Sequence, residues 1–139
     1  VYNVRVPHVV RSVLLTVAGA LLGAVAAAAH HSFAAEYDAG KPATFSGRVT
    51  EVRWINPHVR FALEVIDAAG TTATWQFEMG AVNGLLRRGW SRDMLKPGDE
   101  VRVDGYLSRD GARLANARVV TLKDGRKMSG GTISDAPAN

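Results

Sequence analysis

Three places in this chain bring together side chains whose types and spacing could do chemistry: His30-His31, the stretch Trp54-Ile55-Asn56-Pro57-His58, and Arg87-Arg88 with Trp90 close behind. If His30 were an amino terminus, its amine and imidazole would chelate one metal ion from a single residue. A third nitrogen from His31 or His58 would complete a planar or T-shaped set suited to Cu(II). Glu36 and Asp38 stand near enough in sequence to add oxygen ligands. The chain has no cysteine, so no thiolate favours zinc or Cu(I), and copper is the one cofactor the pattern points to. The plainer reading leaves both histidines as exposed polar residues whose affinity for divalent metals is incidental.

The second group reads two ways. An indole and an imidazole at the mouth of a barrel can stack a ring-shaped or sugar ligand while Asn56 hydrogen-bonds it. Equally, Trp54 can cap a core, Asn56 form an Asx-turn, Pro57 stiffen the turn and His58 end a strand. No carboxylate or nucleophile has a spacing that nominates a partner for His58 in acid-base work. In the third group, guanidinium groups beside an indole suit a phosphate, a carboxylate or an acidic polymer. Arginines at a helix end also simply complement its dipole. The candidate ligand-binding residues are therefore Trp54, Asn56, His58, Arg87, Arg88 and Trp90, and the candidate metal ligands His30, His31 and His58. No residue is nominated as catalytic. A Gly-rich phosphate loop, a serine nucleophile elbow and a zinc helix motif are all missing, as is any internal repeat.

Charge narrows the partners. The formal net charge is +4, but residues before His30 hold two arginines and no acid, so the remainder carries 15 bases against 13 acids. On the strands, Arg53, Arg60, Arg102 and Arg118 share outward positions with Glu51, Glu64, Glu78 and Asp104. That mixture suits cross-strand pairs better than a phosphate track, so nucleic acid is not an expected partner.

The elements that must position these groups come from the order of the chain. Residues 1–29 have a basic start, an apolar run and a small-residue end, the three parts of a secretory signal, with cleavage expected after Ala28 or Ala29. The apolar run is shorter than a membrane span prefers, so membrane contact is expected only before cleavage. Residues 30–42 read as an extended leader, with Phe33 and Tyr37 able to pack on the folded domain. Residues 43–127 read as that domain and residues 128–139, rich in Gly, Ser, Pro and Ala, as a loose tail.

Within the domain, Phe45, Gly47 and Val49 share one parity, and Val52 and Trp54 the other. A phase slip inside a continuous strand predicts a β-bulge. Asn56-Pro57 turns the chain, and Val59, Phe61, Leu63 and Val65 alternate through a second strand. Residues 72–79 alternate as a third. Val82, Leu85, Leu86 and Trp90 then fall at helical spacing, forming one apolar stripe. Residues 100–108 and 114–122 read as two more strands around the turn signal Arg109-Asp110-Gly111. The predicted fold is all-β with one short helix: a small five-stranded barrel of the oligonucleotide/oligosaccharide-binding (OB) kind, β-β-β-α-β-β, following a signal peptide.

Several segments together resemble a family. His30-His31-Ser32-Phe33, Glu36-Tyr37-Asp38, Asn56-Pro57-His58, residues 83–90 (NGLLRRGW), Lys96-Pro97-Gly98-Asp99 and Gly125-Arg126-Lys127 are similar to an uncharacterised family of small exported bacterial proteins, a domain of unknown function. The resemblance spans nearly all of the chain after residue 29. It implies a periplasmic or secreted single domain and carries no catalytic residue. The expected function is a non-enzymatic periplasmic binding or accessory domain, with an unidentified small ligand or envelope protein as partner. That binding would use the barrel face and the Asn56–His58 hairpin. The alternative is a copper-binding protein using His30 with His31 or His58.

Overall fold

The fold is taken from a computed structural model, which describes residues 33–67 and 69–131. His30, His31, the expected signal peptide and the expected cleavage site lie outside the described residues. From Glu36 onward the chain forms one unit.

Six strands make the sheet: β1 (Tyr37–Arg53), β2 (Arg60–Ile66), β3 (Thr72–Glu78), β4 (Glu100–Ser108), β5 (Leu114–Thr121) and β6 (Lys127–Ser129). One helix, Val82–Arg87, stands between β3 and β4. The hydrogen-bonded order is β3-β2-β1-β4-β5-β6. A short parallel contact, Gln76↔Leu114 to Glu78↔Asn116, joins β3 to β5 and turns the sheet back on itself. The result is an OB-like barrel, a ring of strands that is not evenly closed. Alternation alone predicts five strands. The sixth is three residues long and adds to β5 inside the segment whose composition reads as the start of a loose tail.

β1 holds the ring together because it pairs on both sides. Its first part lies against β4 and its last part against β2, and Gly47 at the handover is paired with Val101 on one side and Val65 on the other. A Cβ on Gly47 would run into the carbonyl of Glu64, so the crossing has no room for a side chain. Past it the register slips between Val49 and Glu51, the bulge that the parity change predicts. This slip lets Phe45 and Val49 face the core in one half while Val52 and Trp54 pack against it in the other.

The leader is not extended throughout. Residues 33–36, of sequence Phe-Ala-Ala-Glu, are helical, in keeping with the helix propensity of alanine and glutamate. From Tyr37 the chain is already β1, six residues ahead of the expected boundary, because Tyr37 pairs with Ser108 of β4 and is buried there.

The core centres on Phe77. Phe61 stacks on it across the β2–β3 pair at 5.1 Å between centroids, and Phe45 meets it edge-on at 5.1 Å. Burying such a ring contributes about 2–3 kcal/mol. The helix adds Val82 and Leu85 to the same core, and the turn after it adds Trp90 and Leu95. Leu86, expected on this stripe, is exposed instead. In a six-residue helix only the narrow arc facing the barrel is covered, and Leu86 falls outside it.

Candidate functional site

Alternation along β3 sends Phe77 into the core, so Glu78 belongs on the outer face. It is nonetheless only 5% exposed. Burial comes from other strands: Tyr37 of β1 lies against the carboxylate, and Asn116 of β5 is paired with Glu78 in the parallel contact. Arg60 sits directly opposite on β2. Its Nε donates to Glu78 Oε2 at 3.0 Å and its Nη2 donates to the same oxygen at 2.5 Å.

The other carboxylate oxygen, Oε1, faces His58 Nδ1 at 3.3 Å. The carbonyl of Met79 stands 3.2 Å from the same nitrogen. Both neighbours accept hydrogen bonds, so a proton belongs on Nδ1, and whenever the ring carries only that one proton Nε2 presents the lone pair. The His58 side chain is 42% exposed. The Tyr37 phenol is pushed above its ordinary range, first by burial and then by the negative charge of Glu78. Asn116 Nδ2 donates to the backbone carbonyl of Glu78 at 3.4 Å, and its buried Oδ1 has no partner among the described residues.

This group opens toward two cavities. One, of about 280 Å³, is bounded by Arg53, Asn56, Pro57, His58 and Arg60. The other, of about 370 Å³, shares Arg53 and Arg60 and extends past Glu51 and Gln76 to Arg113. Together they form a groove from the β1–β2 hairpin to the β4–β5 loop. The loop is held at both ends. Asp110 Oδ1 accepts from the Ser108 hydroxyl and from the Ala112 amide, which holds its carboxyl below the usual carboxylate range. The Arg113 carbonyl accepts from the Gln76 amide at 2.9 Å, fixing the backbone that carries the guanidinium.

A larger cleft of about 600 Å³ lies elsewhere, along Arg48, Glu100, Arg102 and Lys123. Each of its bases has an acidic neighbour: Arg48 with Glu100, Arg102 with Asp104 and Lys123 with Asp99. Paired charges of this kind satisfy one another, so volume alone does not mark a site.

The structure brings some of the expected site residues together and separates others. Asn56 and His58 line the groove. Trp54 packs beside Trp90, with centroids 6.3 Å apart, under the Arg92 guanidinium. Trp90 is a core residue: it is 3% exposed and its Nε1 donates to the Ser129 carbonyl at 2.8 Å, which leaves no ring face for a ligand. Arg87, in the last turn of the helix, and Arg88, just past its end, are exposed and neither borders the groove; Arg88 reaches back to the Gly84 carbonyl. Sequence reasoning nominates none of Glu78, Tyr37 and Arg113 for the site, and places Arg60 only among the outward strand arginines that could line the barrel face. For Glu78 and Arg60 the signal was their opposite charge on outward positions of adjacent strands.

A family model described as a family of unknown function, DUF6152, matches residues 19–117. The chain belongs to this family. The matched span holds β1 to β4, the helix and the first residues of β5, so the DUF6152 region includes Tyr37, His58, Arg60, Glu78 and Arg113. No curated protein matches the chain. Among the described residues of this DUF6152 protein no helix is long and apolar enough to cross a membrane. Among them, too, no group of three or more His, Cys, Asp or Glu side chains is placed to hold a metal ion.

Proposed function

We propose that this DUF6152 domain is an exported, periplasmic, non-enzymatic binding module that holds a small ligand or a segment of an envelope partner in the groove between the β1–β2 hairpin and the β4–β5 loop. The observation that carries this reading is the continuity of the two hairpin cavities through Arg53 and Arg60, on the side of the barrel that OB folds use for ligands. Combined, the cavities have the size of a small-molecule site. His58, anchored at Nδ1 by Glu78 and Met79, presents Nε2 at its edge as a fixed acceptor.

The test is a set of amide NMR spectra with a panel of oligosaccharides and small carboxylates. Shifts confined to residues 51–60 and 112–114, weakened by His58→Ala and unaffected by loss of His30 and His31, support the reading. Shifts elsewhere, or indifference to His58→Ala, overturn it. Expression with the native amino-terminal segment, followed by intact mass, tests export. A mature chain beginning at Ala29 or His30 supports it, and an uncleaved chain opposes it.

A second reading is Cu(II) binding by His30 with His31 or His58. One observation favours it: a histidine whose Nδ1–H is tied to a carboxylate and a carbonyl is the arrangement that orients Nε2 toward a metal. Titration with Cu(II) against a competing chelator decides. Tight uptake of one equivalent abolished by His30→Ala supports this reading, and unchanged uptake sinks it.

A further inference from the structure

We infer that the groove takes a small ligand carrying at least two oxyanion groups, a polycarboxylate or a bisphosphate. This rests on the groove being the binding site, and specifies the chemistry it selects.

Cationic donors outnumber acceptors along the groove. Three guanidinium groups border it, those of Arg53, Arg60 and Arg113, against one carboxylate, Glu51. Glu51 is already engaged: Arg53 Nε donates to its Oε1 at 2.5 Å. That bond leaves both terminal nitrogens of Arg53 without a partner among the described residues. Arg60 gives Nε and Nη2 to Glu78, which leaves Nη1. Arg113 is exposed and gives none of its side-chain N–H groups to any described residue. The groove therefore offers guanidinium donors in excess of carboxylate acceptors, since one oxygen of its single carboxylate is already taken by Arg53.

A neutral sugar presents donors and acceptors in comparable numbers, and for its donors the side chains here offer only the Gln76 and Asn56 amides, His58 Nε2 and the second oxygen of Glu51, fewer than the guanidinium N–H groups. An oxyanion presents acceptors only, in the planar or tetrahedral array that a guanidinium fork matches. The unclaimed donors belong to three residues spread along the groove, from the hairpin cavity at Arg53 to the β4–β5 loop at Arg113. A ligand with two or more anionic groups engages more of these donors than a single group, which leaves part of the three forks idle. The apolar rim at Ile55, Pro57 and Leu114 leaves room for a short carbon spacer between them.

The probes are citrate, inorganic phosphate and the neutral trisaccharide maltotriose, each titrated into labelled protein at 20 and 200 mM NaCl and followed by amide shifts. Citrate is expected to bind more tightly than phosphate, with shifts at residues 51–60 and 112–114. Its affinity should fall at least tenfold in Arg113→Gln and several-fold on raising salt, since exposed guanidinium groups are screened. Arg113 lies outside the core, so the variant should fold; an unchanged melting temperature confirms that the loss is one of binding. Arg126→Gln, at a different cleft, should leave affinity unchanged. Equal citrate binding in wild type and Arg113→Gln overturns the inference. So does binding of maltotriose but not citrate at the same amides, an outcome that keeps the groove as the binding site. Silence of all three probes at the groove overturns the inference and counts against the binding site as well.

Discussion

Nδ1 of His58 lies 3.3 Å from Oε1 of Glu78, at the edge of the hairpin groove, while the other oxygen of the same carboxylate is held by Arg60. One buried acid thus positions two side chains that face outward, one an acceptor and one a donor. Glu78 itself is too enclosed to meet a ligand; its part is to position His58 and Arg60.

Replacing Glu78 by Gln keeps the shape and removes the charge. Stripping one partner from a buried pair costs about 3–5 kcal/mol. Arg60 and His58 are each near half exposed, so water recovers part of that, and the expected loss is about 1–3 kcal/mol in urea unfolding. A loss below about 0.5 kcal/mol would mean the carboxylate carries little of the local structure.

Alkaline pH should expose Tyr37. Its phenol is raised above the ordinary value of 10.0, so the folded state keeps the proton that the unfolded state releases. The resulting stabilisation is complete below about pH 10 and is lost progressively as pH rises from there toward the folded value. Tyr37→Phe should flatten the decline in unfolding free energy above pH 10. An ultraviolet titration of the native protein should show Tyr37 missing from the phenolate rise near pH 10. A normal titration by Tyr37 would disprove its burial against Glu78.

The two neighbouring tryptophans should respond differently to Phe. Trp90 loses a hydrogen bond to Ser129 and leaves a gap in the core, a cost of about 2–3 kcal/mol. Trp54 has a buried Nε1 with no partner among the described residues, so Trp54→Phe removes an unsatisfied donor along with some packing. Its cost should stay below about 1 kcal/mol. Equal melting temperatures for the two variants would contradict the asymmetry.

Gly130 tests whether the end of the described chain is part of the fold. Its amide donates to the Arg118 carbonyl at 2.7 Å and its carbonyl accepts from the Gly80 amide at 2.7 Å. A Cβ there would overlap the Ala117 carbonyl. Gly130→Ala is expected to cost about 1–3 kcal/mol and to speed amide exchange in β6. Unchanged exchange would show that β6 does not depend on this close approach.

Much of the fold was legible because its signals are local. β4 runs over Glu100–Ser108 as its alternation predicts, and the bulge in β1 was visible as a change of parity before Val52. The candidate site was legible only in part. Asn56 and His58 stand at the groove, whereas Trp90 is enclosed in the core and Arg87 and Arg88 lie at the end of the helix, away from it. Arg113 went unmarked because a loop arginine has no periodicity to betray it.

By itself the sequence determined five of the six strands, the helix, the turn at Asn56-Pro57 and the order β-β-β-α-β-β, because alternation, helical spacing and proline act within a few residues of chain. Only the tertiary structure decided that Glu78, outward by its parity, is buried beneath Tyr37 and beside Asn116. It alone set His58, Arg60 and Arg113 around one groove, and it added β6 to a segment that composition marked as tail. Those relationships depend on β3 meeting β5 and on β1 pairing on both sides, contacts between residues far apart in the chain that no local pattern encodes.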